Sequence, residues 1–420
     1  MGVTPRAWAV CSLVVIVAGL AVVAALTVPW HRPPAPRADQ VAALREFPAE
    51  QVARARAFKA ALRPASYGGM LVGLVAALVL GLTPLGAWLV TQAGRPFGGH
   101  WIARAVLGGL LVVLVVEVLT LPFAAWRHRV VVEYGISVQS WGSWALDQAK
   151  SYAVGAVLGG VVLLGFFTVT RLAPRWWWAF GAAGAAALVV LLSFVLPVVV
   201  EPIFNKFTPM AAGPLRTELM TLAARDGVPV KDVLVADASR RTKAVNAYVS
   251  GFGPTRRIVV YDTMLTEATP GEVVSVAAHE LGHAKRNDVL LGTVIGALGA
   301  AAAVVALHLL GSLGWLLRWA GAESMGEPRA VALLLALVTL AGLVGGPAQA
   351  FVSRRIEARA DDHAMDLTGD PATMAAMQRR LGSVNLSDPD PPAWEQALMA
   401  SHPSTVERIA AATAYARGDR

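Results

Sequence analysis

One cysteine, Cys11, stands in the 420-residue chain, inside an apolar run. No intrachain disulfide can form, and no C-x-x-C zinc or redox pattern is available. Charge is scarce as well: 15% of the residues are Asp, Glu, Lys or Arg, against about 25% in an ordinary soluble domain. With 56% hydrophobic residues and a mean hydropathy of +0.56, that deficit assigns most of the chain to lipid. Acidic residues are the rarer sign, 28 against 36 Lys and Arg, for a net charge of +8. A basic balance can signal nucleic acid. Here the basic residues flank apolar segments instead of forming one patch, so no nucleic-acid partner is expected and they read as membrane orientation signals.

Runs long enough to cross a bilayer, about 20 apolar residues each, lie at 7–28, 68–92, 101–126, 151–170, 176–200, 289–317 and 330–352. The first is longer than a signal-peptide core and lacks a clear A-x-A cleavage site, so it reads as a retained helix. Seven spans put the two long polar stretches, 201–288 and 353–420, on one side of the membrane. That side also receives Arg32, Arg37, Arg45, Arg54, Arg56, Lys59 and Arg63 in a basic first loop, and Arg127, Arg129 and Lys150 in the third loop. The other side carries fewer, mainly Arg6, Arg95, Arg171, Arg175, Arg318 and Arg329. The positive-inside rule then predicts that both polar stretches face the cytoplasm. Gly155 with Gly159, and Gly292 with Gly296, have the spacing of close helix contacts, which is also ordinary glycine content for spanning helices.

Within the polar stretch, Asp232–Asp237, Ala247–Phe252 and Arg257–Tyr261 are short β-branched or aromatic runs bounded by turn residues, and predict a small sheet. Thr269, Pro270 and Glu272 form a capping-box pattern. It opens a helix expected to run through VVSVAAHELGHAKRND toward the sixth span.

On that helix His279 and His283 are four residues apart, so both imidazoles project from one face and can share one metal ion. Glu280 lies beside them, able to take a proton from an attacking water. A third protein ligand is needed, and Glu357, just after the seventh span, is the best candidate. It can equally be a solvated carboxylate paired with Arg354, Arg355 or Arg359. Asp361, one turn further on, can support a ligand histidine through its other ring nitrogen, or the two carboxylates can exchange roles. Other polar groups read as weaker candidates. His308 is a lining or hydrogen-bonded group within the sixth span, and His363 is on another helix face from Glu357. His31, His100 and His128 are interface residues, and Trp176–Trp178 form an aromatic belt. The tail Ser401-His402-Pro403 with Arg408 reads locally as a capped helix start with Arg408 solvated or paired to Glu407.

HELGH at 279–283, ExxAD at 357–361, EPIFNKFTP at 201–209, SRRTKAVNAYVSGFGPTRRIVVYDTML at 239–265, EYGISVQSWGSWALDQAK at 133–150 and SHPSTVERI at 401–409 occur in one chain. Together they resemble the M48 metallopeptidase family, in particular its Ste24-type CAAX prenyl protease branch. The resemblance covers most of the chain from about residue 130 onward, while the N-terminal third departs from it most. It implies His279, His283 and Glu357 as ligands of one zinc ion, Glu280 as general base and Asp361 as the supporting carboxylate. Asn246, Ala247 and Tyr248 become the edge strand on which a substrate lies. His402 and Arg408 become groups offered to the substrate or the reaction intermediate.

The expected fold is an all-α multi-span membrane bundle of seven transmembrane helices with a small α+β zinc metalloprotease domain of the HExxH, gluzincin-like type. Residues 1–200 hold spans one to five, 201–288 the catalytic segment, 289–352 spans six and seven, and 353–420 the third ligand and SHP motif. The expected function is zinc-dependent endoproteolysis of a peptide or protein, with a prenylated substrate implied by the resemblance, at the lipid bilayer. An HtpX-like quality-control protease is the alternative enzyme, though such chains have fewer spans. A metal-binding scaffold or a transporter is the non-enzyme alternative. Glu280 counts against the scaffold, since metal binding does not require it, and the chain lacks the paired broken helices and repeats of transporters.

Overall fold

A segment without water to solvate its peptide groups can cross a bilayer only if it bonds them internally, which a helix does. The structure, a computed structural model, describes residues 4–31 and 33–419, so Arg32 of the first loop lies outside the described residues. Seven of its helices are long and apolar enough to span: Pro5–Thr27, Ala49–Leu82, Trp101–Glu133, Trp141–Leu172, Trp177–Phe204, Asp288–Gly311 and Pro328–Thr368.

Several expectations need correction. The basic first loop is largely helical, because Ala49–Leu82 is one continuous helix. Arg54, Arg56, Lys59 and Arg63 therefore project from a polar extension of the second span. Charge removes a segment from a hydropathy window without lowering its helix propensity. The same span stops at Leu82, earlier than expected. Thr83 is extended there and caps a separate helix, Pro84–Gly94, whose first residue has no N–H to continue the ladder. The sixth span ends at Gly311, ahead of a short helix Gly314–Trp319. Trp177 and Trp178 are no belt: both are buried and pack against His308, and Trp176 alone of the three is partly exposed. His128 is likewise buried, between Trp141 and Trp144. Gly155, Gly159 and Gly292 face open space. Close helix approach occurs at Gly81 instead, where an added Cβ would sit 2.4 Å from Ala336 Cβ.

Between the fifth and sixth spans the chain forms a four-stranded sheet. Strand β1 (Phe207–Pro209) is antiparallel to β2 (Asp232–Ala236), and β4 (Arg257–Tyr261) lies parallel to β2 and antiparallel to β3 (Ala247–Ser250). The order β1-β2-β4-β3 leaves β3 on an edge. Sequence patterning found β2, β3 and β4. The three residues of β1 are too few to show an alternation.

The HELGH helix, Pro270–Lys285, opens with the expected box: the Glu272 N–H donates to Thr269 Oγ1, and Glu272 Oε2 accepts the Thr269 N–H at 2.8 Å. It does not run on into the sixth span. Asn287 takes a left-handed conformation (φ 53°), which Asn tolerates better than most residues, and a new helix starts at Asp288. The helix is the centre of a second core, separate from the membrane bundle. Leu281 packs there with Leu219, Ile258, Met264, Met365, Met374 and Ile409, all almost fully buried. Met365 arrives on the extension of the seventh span, a single helix from Val331 to Thr368, and Ile409 on the C-terminal helix Thr405–Arg417.

Candidate metal centre

Helical spacing brings His279 and His283 over one another, and burial of the helix leaves their rings facing the extension of the seventh span. His279 Nδ1 is 2.9 Å from Asp361 Oδ1, and His283 Nδ1 is 2.9 Å from Asp288 Oδ2. Each ring proton thus points at a carboxylate, which fixes the tautomer and turns both Nε2 lone pairs inward. The two Nε2 atoms are 3.2 Å apart. Glu357 closes the triangle, with Oε2 3.2 Å from His279 Nε2 and Oε1 3.5 Å from His283 Nε2.

Three lone-pair donors at this separation repel one another unless positive charge sits among them. Burial opposes charge on His279, yet the Asp361 and Glu357 carboxylates overcome it and push the imidazole up to about 10. Glu357 Oε2 is buried without a hydrogen-bond partner. Ligand atoms about 2 Å from a tetrahedral ion stand roughly 3.3 Å from each other, which matches the observed spacing. The donor set fits a divalent cation: His279, His283 and Glu357 can hold it.

Glu280 faces a cavity of about 840 Å³ that His279, Asn246, His402 and Arg408 also line. The Val249 N–H lies toward its carboxylate from the β3 edge. Burial pushes its carboxyl up, against the opposing pull of the two histidines. The tail returns to this site, with His402 Nε2 3.4 Å from Glu357 Oε2 and Ser401 Oγ 2.8 Å from His402 Nδ1. Arg408 is neither solvated nor paired to Glu407. It grips Asp361 with two hydrogen bonds, Nε at 2.8 Å from Oδ2 and Nη2 on Oδ1, and it reaches the cavity from behind that carboxylate. Asn246 borders the cavity, while the Tyr248 hydroxyl lies 3.1 Å from Glu201 Oε2. His363 bonds Asp226 at 3.0 Å, away from the donors.

Sequence reading missed two contributors. Asp288 depends on the break at Asn287, which returns a carboxylate to His283, and Arg359 holds its other oxygen. An acidic residue a few positions after the second histidine was the available signal. In sequence Arg354 reads as a partner for Glu357. Instead its guanidinium donates to the carbonyls of Gln396 (2.9 Å), Ala397 (3.1 Å) and Ala400 (2.6 Å), closing the end of helix Ala393–Met399 just ahead of His402. Gln396 Nε2 continues the link to the His402 carbonyl at 2.8 Å. No local pattern announces that clamp.

The model for peptidase family M48 matches residues 209–416. A rice protein called CAAX prenyl protease 1 homolog is 30% identical over 310 residues, 70% of each chain. The chain belongs to the M48 family. Its N-terminal part, residues 31–206, matches the five membrane helices of the CAAX prenyl protease N-terminal model, which favours that branch over an HtpX-like one. CAAX prenyl protease 1 of Saccharomyces cerevisiae is 31% identical over 172 residues, 40% of this chain and 38% of that one. An uncharacterised metalloprotease of Bacillus subtilis, YhfN, is 29% identical over 298 residues, 70% of each. The crystal structure of S. mikatae Ste24p has the same fold, with a TM-score of 0.77 at 22% identity, covering 96% of this chain and 98% of that one. This M48 chain is a multi-span membrane metalloendopeptidase, and the scaffold and transporter readings give way to it.

Proposed function

We propose that this M48 protease holds one zinc ion on His279, His283 and Glu357 and cleaves peptide bonds with Glu280 as general base. The observation that carries the reading is the convergence of three lone-pair donors beside a carboxylate that faces a substrate-sized cavity. Zinc in this site supplies Lewis acidity to the scissile carbonyl and to the attacking water.

The chain's own residues do the rest. Glu280 takes a proton from the attacking water and later delivers it to the departing amine. Burial pushes its carboxyl above the ordinary glutamate value, the direction expected of a group that takes up a proton and gives it back. Asp361 and Asp288 keep the two imidazoles in the tautomer that leaves Nε2 free. Arg408 is a positioning residue that keeps Asp361 charged and oriented. His402, beside Glu357, is set to donate to the oxyanion of the tetrahedral intermediate, a type of contribution worth about 3 kcal/mol when the donor is preorganised. The substrate peptide lies as an added strand along β3, with Asn246 and Ala247 at its side. The Tyr248 side chain takes no direct part.

The rice and yeast relatives are named for action on CAAX prenyl substrates. We assign this chain the same class, a protein or peptide with a prenylated C-terminal segment, presented at the cytoplasmic face of the bilayer.

The test is chelator-sensitive cleavage by purified protein, on prenylated and unprenylated versions of one peptide. Glu280→Ala should keep its zinc and lose turnover by two or more orders of magnitude, about the range of general-base catalysis. Unchanged turnover in that variant eliminates the mechanism, and equal rates on the two peptides eliminate lipid selection.

A further inference from the structure

The last carbonyls of a helix have no intrahelical partner, and the aligned peptide dipoles leave about half a negative charge at that end. The first span, Pro5–Thr27, ends with its chain folded back on itself. The Val28 N–H and the Trp30 indole both donate to the Ala24 carbonyl, at 3.1 and 2.9 Å. Val28 is buried, and the Trp30 ring stacks on Phe351 of the seventh-span helix with 5.9 Å between centroids. This turn holds the end of the first span against the seventh, and the Thr27 carbonyl accepts its bond from there: Arg359 Nη1 donates to it at 3.1 Å.

Arg359 stands two residues beyond Glu357 on the same helix. Its Nη2 donates to Asp288 Oδ1, while Asp288 Oδ2 lies 2.9 Å from His283 Nδ1. The Asp288 side chain is 7% exposed, so these bonds escape the water screening that weakens a surface ion pair. A carboxylate held through one oxygen alone can turn about its Cβ–Cγ bond. Arg359 takes the second oxygen and stops that rotation, and its planar fork allows this only while the guanidinium itself stays in one place. The backbone at this point is braced separately, by Arg256 Nη2 on Asn287 Oδ1 at 2.9 Å. What Arg359 adds is therefore the aim of the carboxylate, and what the Thr27 carbonyl adds is the place of Arg359.

Thr27, Arg359, Asp288 and His283 thus form one line from the end of the first span to a metal donor. Residues 5–27 lie outside both segments that the family models match, 31–206 and 209–416, and hydropathy by itself gives this span only a place in lipid. We infer that Arg359 is a positioning residue of the metal centre, and that the first span takes part in that centre by holding Arg359 on its C-terminal carbonyl. The inference rests on the proposed zinc site and deepens it, since it names what aims His283.

The test measures the zinc affinity of purified full-length protein by competition with a chelator, in wild type, Arg359→Met, Arg359→Lys, Trp30→Ala, and Trp30→Ala combined with Arg359→Met. Arg359→Met should weaken zinc binding about tenfold, as for other groups that orient a ligand. Arg359→Lys should recover part of the loss, since an ammonium keeps the charge without the fork. Trp30→Ala, which frees the folded-back turn, should weaken binding about threefold, and the combined variant should bind no more weakly than Arg359→Met alone, because both changes act through one contact. General loosening of the fold would instead lower affinity by the same factor in both backgrounds. Thermal unfolding gives a second readout: zinc should raise the midpoint by less in Arg359→Met than in wild type, each measured from its own metal-free protein. Unchanged zinc affinity in Arg359→Met overturns the role of Arg359, and losses that multiply in the combined variant overturn that of the first span. If wild-type protein takes up no zinc, or Glu357→Ala takes up as much as wild type, the proposed zinc site itself fails and this inference falls with it.

Discussion

The fifth span and the HELGH helix are both apolar helices, yet they meet opposite surroundings. In the most hydropathic window of Trp177–Phe204, none of the residues is buried inside the protein. In Pro270–Lys285, 11 of the 16 residues are buried. Lipid asks for hydrophobicity from a span and little else, so many sequences satisfy it. The HELGH helix packs each buried residue against a particular partner, as in the interior of a soluble protein. Tolerance to substitution should therefore differ sharply between the two regions.

The largest effect should fall where the buried helix meets the metal. Glu357→Ala removes one of three donors, and bound metal in the purified protein should drop to background, with activity down about a thousandfold or more. Asp288→Asn keeps all three donors and alters what His283 and Arg359 bond. A loss of about 10- to 100-fold in metal affinity is expected, as for other groups that orient a ligand.

Packing comes next. Leu281→Ala empties a fully buried site and should cost about 2–5 kcal/mol. Val344→Ala, 78% exposed on the seventh span, should change stability by about 0.5 kcal/mol or less. Thermal unfolding of both in one detergent makes the comparison, and similar losses would break the contrast between the regions.

Smaller effects sharpen it. Arg354→Ala should lower turnover about tenfold by freeing the segment that carries His402, through loss of charge-assisted bonds, with metal content intact. Arg354→Lys should recover only part, since a lysine cannot reproduce the fork. Thr269→Ala removes a helix cap, for about 1 kcal/mol. At that cap, burial pushes the Glu272 carboxyl up, but the Thr269 N–H and the Arg380 guanidinium outweigh it and hold it below its ordinary value of 4.5. A lowered folded value means that the stabilisation is complete above the ordinary value and is lost as pH falls through the folded one. The stability gap between wild type and Glu272→Gln should accordingly close in acid and stay constant at neutral pH.

The sequence made the spans and the motif helix legible because both depend on short-range patterns. Apolar length marks a span wherever it occurs, and Thr269, Pro270 and Glu272 declare a helix start within four positions. Glu357 was visible as a candidate but not separable from Asp361, since one turn of helix puts both on the same face. The fold sets them apart: Glu357 lies beside the Nε2 atoms and Asp361 beside Nδ1. Asp288 stayed hidden for a different reason. It acts through a backbone reversal at a non-glycine residue, Asn287, and no side-chain periodicity reports a left-handed residue. The helical character of residues 49–67 was masked by the same charges that marked their side of the membrane.

The donor triangle also has a consequence for how the molecule is made. His279 and His283 precede the sixth span, whereas Glu357 follows the seventh and His402 comes later still. A growing chain therefore exposes two thirds of the proposed ligand set long before it can close the triangle. The last spans must be threaded and the tail folded back before the centre is whole, so the unfinished protease emerging from the ribosome carries no working blade.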